Sequence, residues 1–292
     1  MMNSALILGP GALGRLLAAY LDQQNRVALI GRQASSRPIN LVTPEGEILS
    51  RPVPRITADQ APRQPALVHL ATKAYAAQQA LAELAEHIDP ATPLVLWQNG
   101  FQVQEPLTRR WPGPVLCATT TEGAYTQGED GVVHAGRGHT FVGHLDGGYP
   151  ELADNVAKML ARASLSAEPC DDTRRRLWHK LAVNAAINPL VARYRIRNGQ
   201  LRDRPFRPMV TAIIGDLNSV MEAEGITTPE NGWEAMIWKV IETTANNRAS
   251  MLQDVLANRP TERDAILGPL FEAARRHDIA TPHLNALWDS TP

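Results

Sequence analysis

The 292-residue chain has almost no net charge: 29 lysines and arginines stand against 30 aspartates and glutamates, a formal charge of −1. Nucleic-acid binders normally show a basic excess, and proteins drawn to anionic membrane surfaces show a polybasic cluster. Neither feature is present, so neither nucleic acid nor membrane is expected as a partner. Cysteine is nearly absent. Cys117 and Cys170 form no metal or redox spacing and read as idle or buried thiols. No apolar run reaches the about 18 residues of a spanning helix. The segment Met1–Ser4 lacks a basic leader region and Ala5–Leu8 is too short for a signal peptide, which predicts a cytoplasmic protein. The 22 prolines are dispersed, so no long disordered tract is expected.

What the chain does have is material for more than one core. Hydrophobic residues make up 44%, and the length suits two domains better than one. Ala5–Leu8 is a short apolar run, as in a strand buried on both faces. It is followed by Gly9-Pro10-Gly11-Ala12-Leu13-Gly14, a G-x-G-x-x-G pattern, and then by Leu13, Leu16, Leu17, Tyr20 and Leu21 at helical spacing. Arg26–Ile30 reads as a second strand. This is the order in which the motif binds a dinucleotide. Gly9 allows the tight turn, Gly11 leaves room for a pyrophosphate, and Gly14 lets helix and strand pack. The N–H groups of Ala12 and Leu13 open a helix whose N-terminus favours phosphate. At the end of the second strand, where NAD enzymes usually place an acid for the ribose, the chain has Ile30-Gly31-Arg32-Gln33. Arg32 suits a 2′-phosphate, so the expected cofactor is NADP(H).

Further strands are expected at Leu67–Ala71, Pro93–Trp97 and Val115–Thr119, a helix at Tyr75–Glu86, and a hairpin at Asn40–Leu49. The glycine-rich stretch Gly123–Gly148 suits antiparallel strands and turns. A helix at Leu152–Leu160 and an edge strand at Leu165–Ala167 follow. After Asp172 the pattern is helical, with segments from Asp172 into the 190s, Pro205–Glu224, Asn231–Leu256, Thr261–His277 and Pro282–Trp288. The reading is an α/β chain. A Rossmann-like dinucleotide-binding domain at 1–167 precedes an all-helical substrate and catalytic domain at 168–292, with a small-molecule site expected between them.

Lys73 and Asn99 each follow a buried strand closely, where open α/β sheets bind ligands, although Asn99-Gly100 also suits a simple turn. Lys180, Asn184 and Asn188 stand at i, i+4 and i+8 and share one face of a mostly apolar helix. Such groups are costly to bury without partners, so the face is read as lining a cleft, with Lys180 as proton donor or anion binder. Pro260 should end one helix, and Thr261 with Asp264 fits a capping box for the next. That leaves Glu262 in the first helical turn, either as a functional carboxylate or for the helix dipole alone. The eight histidines form no ligand set, and no metal is expected.

Taken together, Gly9-x-Gly11-x-x-Gly14, Thr72-Lys73-Ala74, Gln98-Asn99-Gly100, Thr119-Thr120-Thr121, Lys180–Asn184 with Asn188-Pro189-Leu190, Asn247–Asp254 and Thr261-Glu262 resemble the ketopantoate reductase (2-dehydropantoate 2-reductase) family over nearly the whole length. The resemblance implies NADPH-dependent reduction of ketopantoate to pantoate on the route to pantothenate and coenzyme A. It implies Lys180 as general acid, with Glu262 orienting it or binding the substrate hydroxyl. Asn99, Asn184, Asn188 and Ser250 would bind substrate, Ser250 near its carboxylate. Gly9, Gly11, Ala12, Leu13, Gly14, Arg32, Lys73 and Asn99 would bind the cofactor. The implied partner is a small 2-oxo acid, and the implied assembly a monomer or homodimer. Another 2-oxo acid reductase of the same architecture, or a non-catalytic NADPH sensor, is the rival expectation.

Overall fold

A computed structural model describes residues 5–23 and 27–290, with side chains through Asp289. Met1–Ser4 and Arg26 lie outside the described residues. By compactness the chain divides into one unit running to Gln98 and from Val103 to Arg174, and a second comprising Asn99–Gln102 and everything from Arg175 onward.

In chain order the first unit holds β1 (Ala5–Leu8), α1 (Ala12–Leu21), β2 (Val27–Ile30), β3 (Ile39–Val42), β4 (Ile48–Arg51), β5 (Arg55–Ile56), β6 (Leu67–Leu70), α2 (Ala74–Ala85), β7 (Leu94–Leu96), α3 (Gln104–Arg110), β8 (Val115–Thr120), β9 (Gly123–Gln127), β10 (Gly131–Gly136), β11 (Thr140–Gly143), α4 (Pro150–Arg162) and β12 (Ala167–Pro169). Eight strands form one sheet in the order β12-β11-β8-β7-β6-β1-β2-β5. From β8 through β5 every pairing is parallel, and β11 turns antiparallel against β8. The all-apolar runs of β1 and β7, and of β6 but for the buried His69, follow from this: a central parallel strand is covered on both faces, so alternation would bury polar side chains.

The hairpin expected at Asn40–Leu49 forms from β3 and β4. These strands join β10 and β9 in a second, four-stranded sheet. Helix α1 packs against both sheets, which is why it is buried almost all round, with Leu16, Leu17, Ala18, Ala19 and Leu21 inaccessible. The edge strand lies at Ala167–Pro169 rather than Leu165–Ala167. Leu165 instead closes the end of α4, its N–H bonding the Leu160 carbonyl.

The chain enters the second unit along α5 (Thr173–Tyr194), followed by α6 (Arg207–Ala223), α7 (Gly232–Thr243), α8 (Ser250–Leu256), α9 (Arg263–Arg276) and α10 (Pro282–Ser290). The single helix expected over Asn231–Leu256 is two. Between α7 and α8 the carbonyls of Ala245 and Asn247 accept the N–H groups of Gly199 and Asn198, and Asn198 Nδ2 donates to Thr244 Oγ1 at 2.9 Å. Carbonyls used in this way cannot carry a helix through the segment. The helix begins one residue later than the expected Thr261–Asp264 capping box places it: Glu262 is the N-cap of α9, and its side chain makes no capping bond. Among the described residues no helix is long and apolar enough to cross a membrane, and no cluster of His, Cys, Asp and Glu could hold a metal ion.

Candidate functional site

In the first unit, β1 lies between β2 and β6, so the loops leaving these three parallel strands share one sheet edge. The glycine turn is at the centre. Gly9 has φ +114°, and a Cβ there would lie 2.7 Å from the Thr72 nitrogen. At Gly14 it would lie 1.9 Å from the Gly9 carbonyl. The protein's own packing therefore demands both glycines. Gly11 is different. Its φ of −75° suits any residue, and nothing stands within 4 Å of where its Cβ would be. Gly11 caps α1, whose first turn contains no acidic residue and opens with Ala12 and Leu13. Free N–H groups, a positive helix end and an open approach at Gly11 fit a pyrophosphate.

Arg32 follows β2 on the same edge and is exposed, with no acid between Gly31 and Ala34. Lys73 is the half-buried N-cap of α2 just past β6. The turn from β6 into α2 is braced by a motif residue to which the sequence pattern assigns no role: buried Gln98 donates from Nε2 to the carbonyls of Leu70 and Thr72 at 2.9 and 3.1 Å. Deeper in the sheet, His69 takes the indole N–H of Trp97 at 3.1 Å. Full burial lowers its pKa to about 4, so it is a neutral core histidine.

In the second unit three of the expected residues come together. Asn99 Nδ2 donates to Glu262 Oε2 at 3.3 Å. Glu262 is only 6% exposed and its charge raises the pKa of Lys180. Burial acts in the other direction and prevails, so the Lys180 ammonium is pushed down from 10.5 to about 8. Asn184 and Asn188 stand one and two turns further along α5, half-buried and buried. Ser250 is the exposed first residue of α8. Asp254 in the same helix is buried and accepts both Nε and Nη2 of Arg259 at 3.0 and 2.9 Å, a pairing that holds the α8–α9 connection.

The position of Asn99 has a local cause. Pro269 sits inside α9 and has no N–H to give the carbonyl four residues earlier. That carbonyl belongs to Ala265, and it accepts the Phe101 N–H at 3.2 Å instead. Gly100 makes the approach possible: its φ is +82°, and a Cβ there would lie 2.0 Å from the Ala265 oxygen. The Phe101 ring then packs on Trp178 of α5, centroids 5.3 Å apart. Asn99-Gly100 is thus more than a turn, because it fastens the segment to α9 beside Glu262.

Model descriptions of known families match both parts of the chain: ketopantoate reductase PanE/ApbA over residues 5–147 and ketopantoate reductase PanE/ApbA C terminal over 172–291. A 2-dehydropantoate 2-reductase of Vibrio cholerae serotype O1 is 35% identical over 285 residues, covering 97% of this chain and 95% of that protein. Among solved structures, the 2-dehydropantoate 2-reductase from Methylococcus capsulatus superposes with a TM-score of 0.84 at 23% identity, covering 98% of this chain and 94% of that one. The ternary structure of D-mandelate dehydrogenase with NADH and anilino(oxo)acetate gives 0.88, also at 23%, covering 98% and 96%. At such identities the two structures speak for the fold. The full-length sequence match and both family models, laid over the glycine turn and the Lys180–Glu262–Asn99 cluster, place this chain in the ketopantoate reductase family.

Proposed function

We propose that the chain reduces 2-dehydropantoate (ketopantoate) to (R)-pantoate with NADPH, in the cytoplasm and as a monomer or homodimer, on the route to pantothenate and coenzyme A. The observation that carries the reading is the half-buried lysine of α5 held at a pKa of about 8 beside a buried carboxylate. When bound, NADPH supplies the hydride. Gly9, Gly11, Ala12, Leu13 and Gly14 would hold its pyrophosphate, Arg32 its 2′-phosphate, and Lys73 and Asn99 its remaining polar groups.

Reduction turns the substrate's C2 carbonyl oxygen into an alkoxide. Lys180 supplies a positive charge to that oxygen as charge develops and then its proton. With a pKa of about 8, it is charged at neutral pH yet more acidic than an ordinary lysine. Glu262 keeps it protonated and oriented, and Asn99 fixes the carboxylate of Glu262. Asn184, Asn188 and Ser250 would bind the hydroxyl and carboxylate of the substrate. The absence of an acid at residues 31–34, together with Arg32, supports NADPH over NADH.

The test is steady-state NADPH oxidation with ketopantoate against smaller and aromatic 2-oxo acids. The proposal expects the highest kcat/KM for ketopantoate, by at least about tenfold, the discrimination one or two well-packed methyl groups give. Equal or better turnover of another 2-oxo acid would reassign the substrate. No turnover of any, with NADPH still bound, would make the chain a sensor.

A further inference from the structure

The loop that carries Arg32 is held in a frame of charged residues to which no role has so far been assigned. After β2 the chain is fastened twice to β5: the Gly31 N–H bonds the Ile56 carbonyl at 3.0 Å, and Ser35 and Arg55 exchange backbone bonds of 2.9 and 3.3 Å. Only Arg32, Gln33 and Ala34 lie between these points, all exposed. The guanidinium of Arg55, 11% exposed, closes the frame. One nitrogen, Nη2, donates both to the Arg37 carbonyl at 3.0 Å and to the carboxylate of Asp130. Asp130 also takes Arg37 Nη1, and these arginines hold its carboxyl below the usual range.

Asp130 does not float. Its loop is anchored by Arg15, whose Nη1 donates to the carbonyls of Gly128 and Gly131 at 3.1 and 3.0 Å while Nε donates to Pro10 of the glycine turn at 2.9 Å. Pro10 in turn faces Gly31, where an added Cβ would come within 3.1 Å of its Cγ. The circuit from the glycine turn through Arg15, the 128–131 loop, Asp130 and Arg55 back to the Arg32 loop is therefore closed.

We infer that Arg55 and Asp130 are positioning residues for cofactor choice: they hold the short Arg32 loop at a fixed height beside the glycine turn, and so set the preference for a 2′-phosphorylated dinucleotide. The inference rests on the reading that Arg32 meets the 2′-phosphate. An acid near an anion site would ordinarily weaken anion binding. Here the Asp130 charge is taken up by Arg55 and Arg37, and its geometric effect runs the other way.

Direct titration with 2′,5′-ADP and with 5′-ADP separates these effects without turnover. Asp130→Asn, close to isosteric, should weaken 2′,5′-ADP about tenfold, the size expected for loss of a partly buried charge-assisted bond, and leave 5′-ADP within about twofold. Arg55→Lys keeps the positive charge but is too short to put it where Nη2 meets both the Arg37 carbonyl and Asp130, and should do the same. Glu129→Gln removes an equal but exposed charge next door and should change nothing measurable. Tighter 2′,5′-ADP binding in Asp130→Asn, or an equal effect of Glu129→Gln, would show that only local charge matters and overturn the inference. Arg32→Ala is run alongside. If it loses 2′,5′-ADP affinity while Asp130→Asn and Arg55→Lys keep theirs, the positioning role alone is wrong; if it loses none, the Arg32 reading fails and takes the inference with it.

Discussion

Lys180 combines two opposed influences, and each can be varied. Burial lowers its pKa and the Glu262 charge raises it, leaving it near 8. A general acid must be protonated, so kcat/KM for reduction should be flat through neutrality and fall about tenfold per unit above pH 8. Glu262→Gln keeps an oxygen for Asn99 but removes the charge that raises the lysine, so this limb should move to lower pH. A limb that stays in place would separate it from Lys180. Lys180→Ala should cut turnover by about 10²- to 10⁴-fold with NADPH binding retained. The lysine was legible before the structure because three polar residues at i, i+4 and i+8 on an apolar helix have no other simple reason to be there. Glu262 was not, since its position one residue after Thr261 suited a dipole preference equally well. Its burial at a helix N-cap and its bond from Asn99 depend on α9 and the 99–102 segment meeting, which no local pattern records.

At the scale of elements, strands and long helices were legible because burial on both faces or on one stripe writes a period into the sequence. The break between α7 and α8 was not legible, because it is made by the distant Asn198–Gly199 turn taking two carbonyls. The fastening of Asn99–Gln102 to α9 is of the same kind, built from a proline that frees one carbonyl and a glycine that reaches it. Gly100→Ala must strain a φ of +82° and push a methyl into the Ala265 oxygen. It should cost about 2–4 kcal/mol of stability and shift Asn99 away from Glu262. Pro269→Ala offers the milder cut. The restored N–H competes with Phe101 for the Ala265 carbonyl, so kcat should fall several-fold while the melting temperature holds or rises. Equal kcat in Pro269→Ala, at unchanged fold, would show that the fastening does not position the site.

At the scale of the whole molecule, a formal charge of −1 supplies no net attraction for an anionic cofactor or substrate. Attraction must come from a few local cations, and its reach is about one Debye length, near 10 Å at 0.1 M salt. NADPH and NADH share the pyrophosphate, which neutral N–H groups at the glycine turn would bind with weak salt dependence. They differ in the 2′-phosphate, which in this reading meets the exposed charge of Arg32. Raising salt from about 0.05 to 0.5 M, which shortens the Debye length roughly threefold, should therefore raise KM for NADPH several-fold more than KM for NADH. It should leave kcat nearly constant, because Lys180 and Glu262 interact in a partly buried site that salt screens poorly. In Arg32→Ala the two cofactors should respond alike. Parallel salt curves in the unaltered protein would instead mean that the extra phosphate is bound by dipoles and backbone, and would remove the electrostatic basis for preferring NADPH.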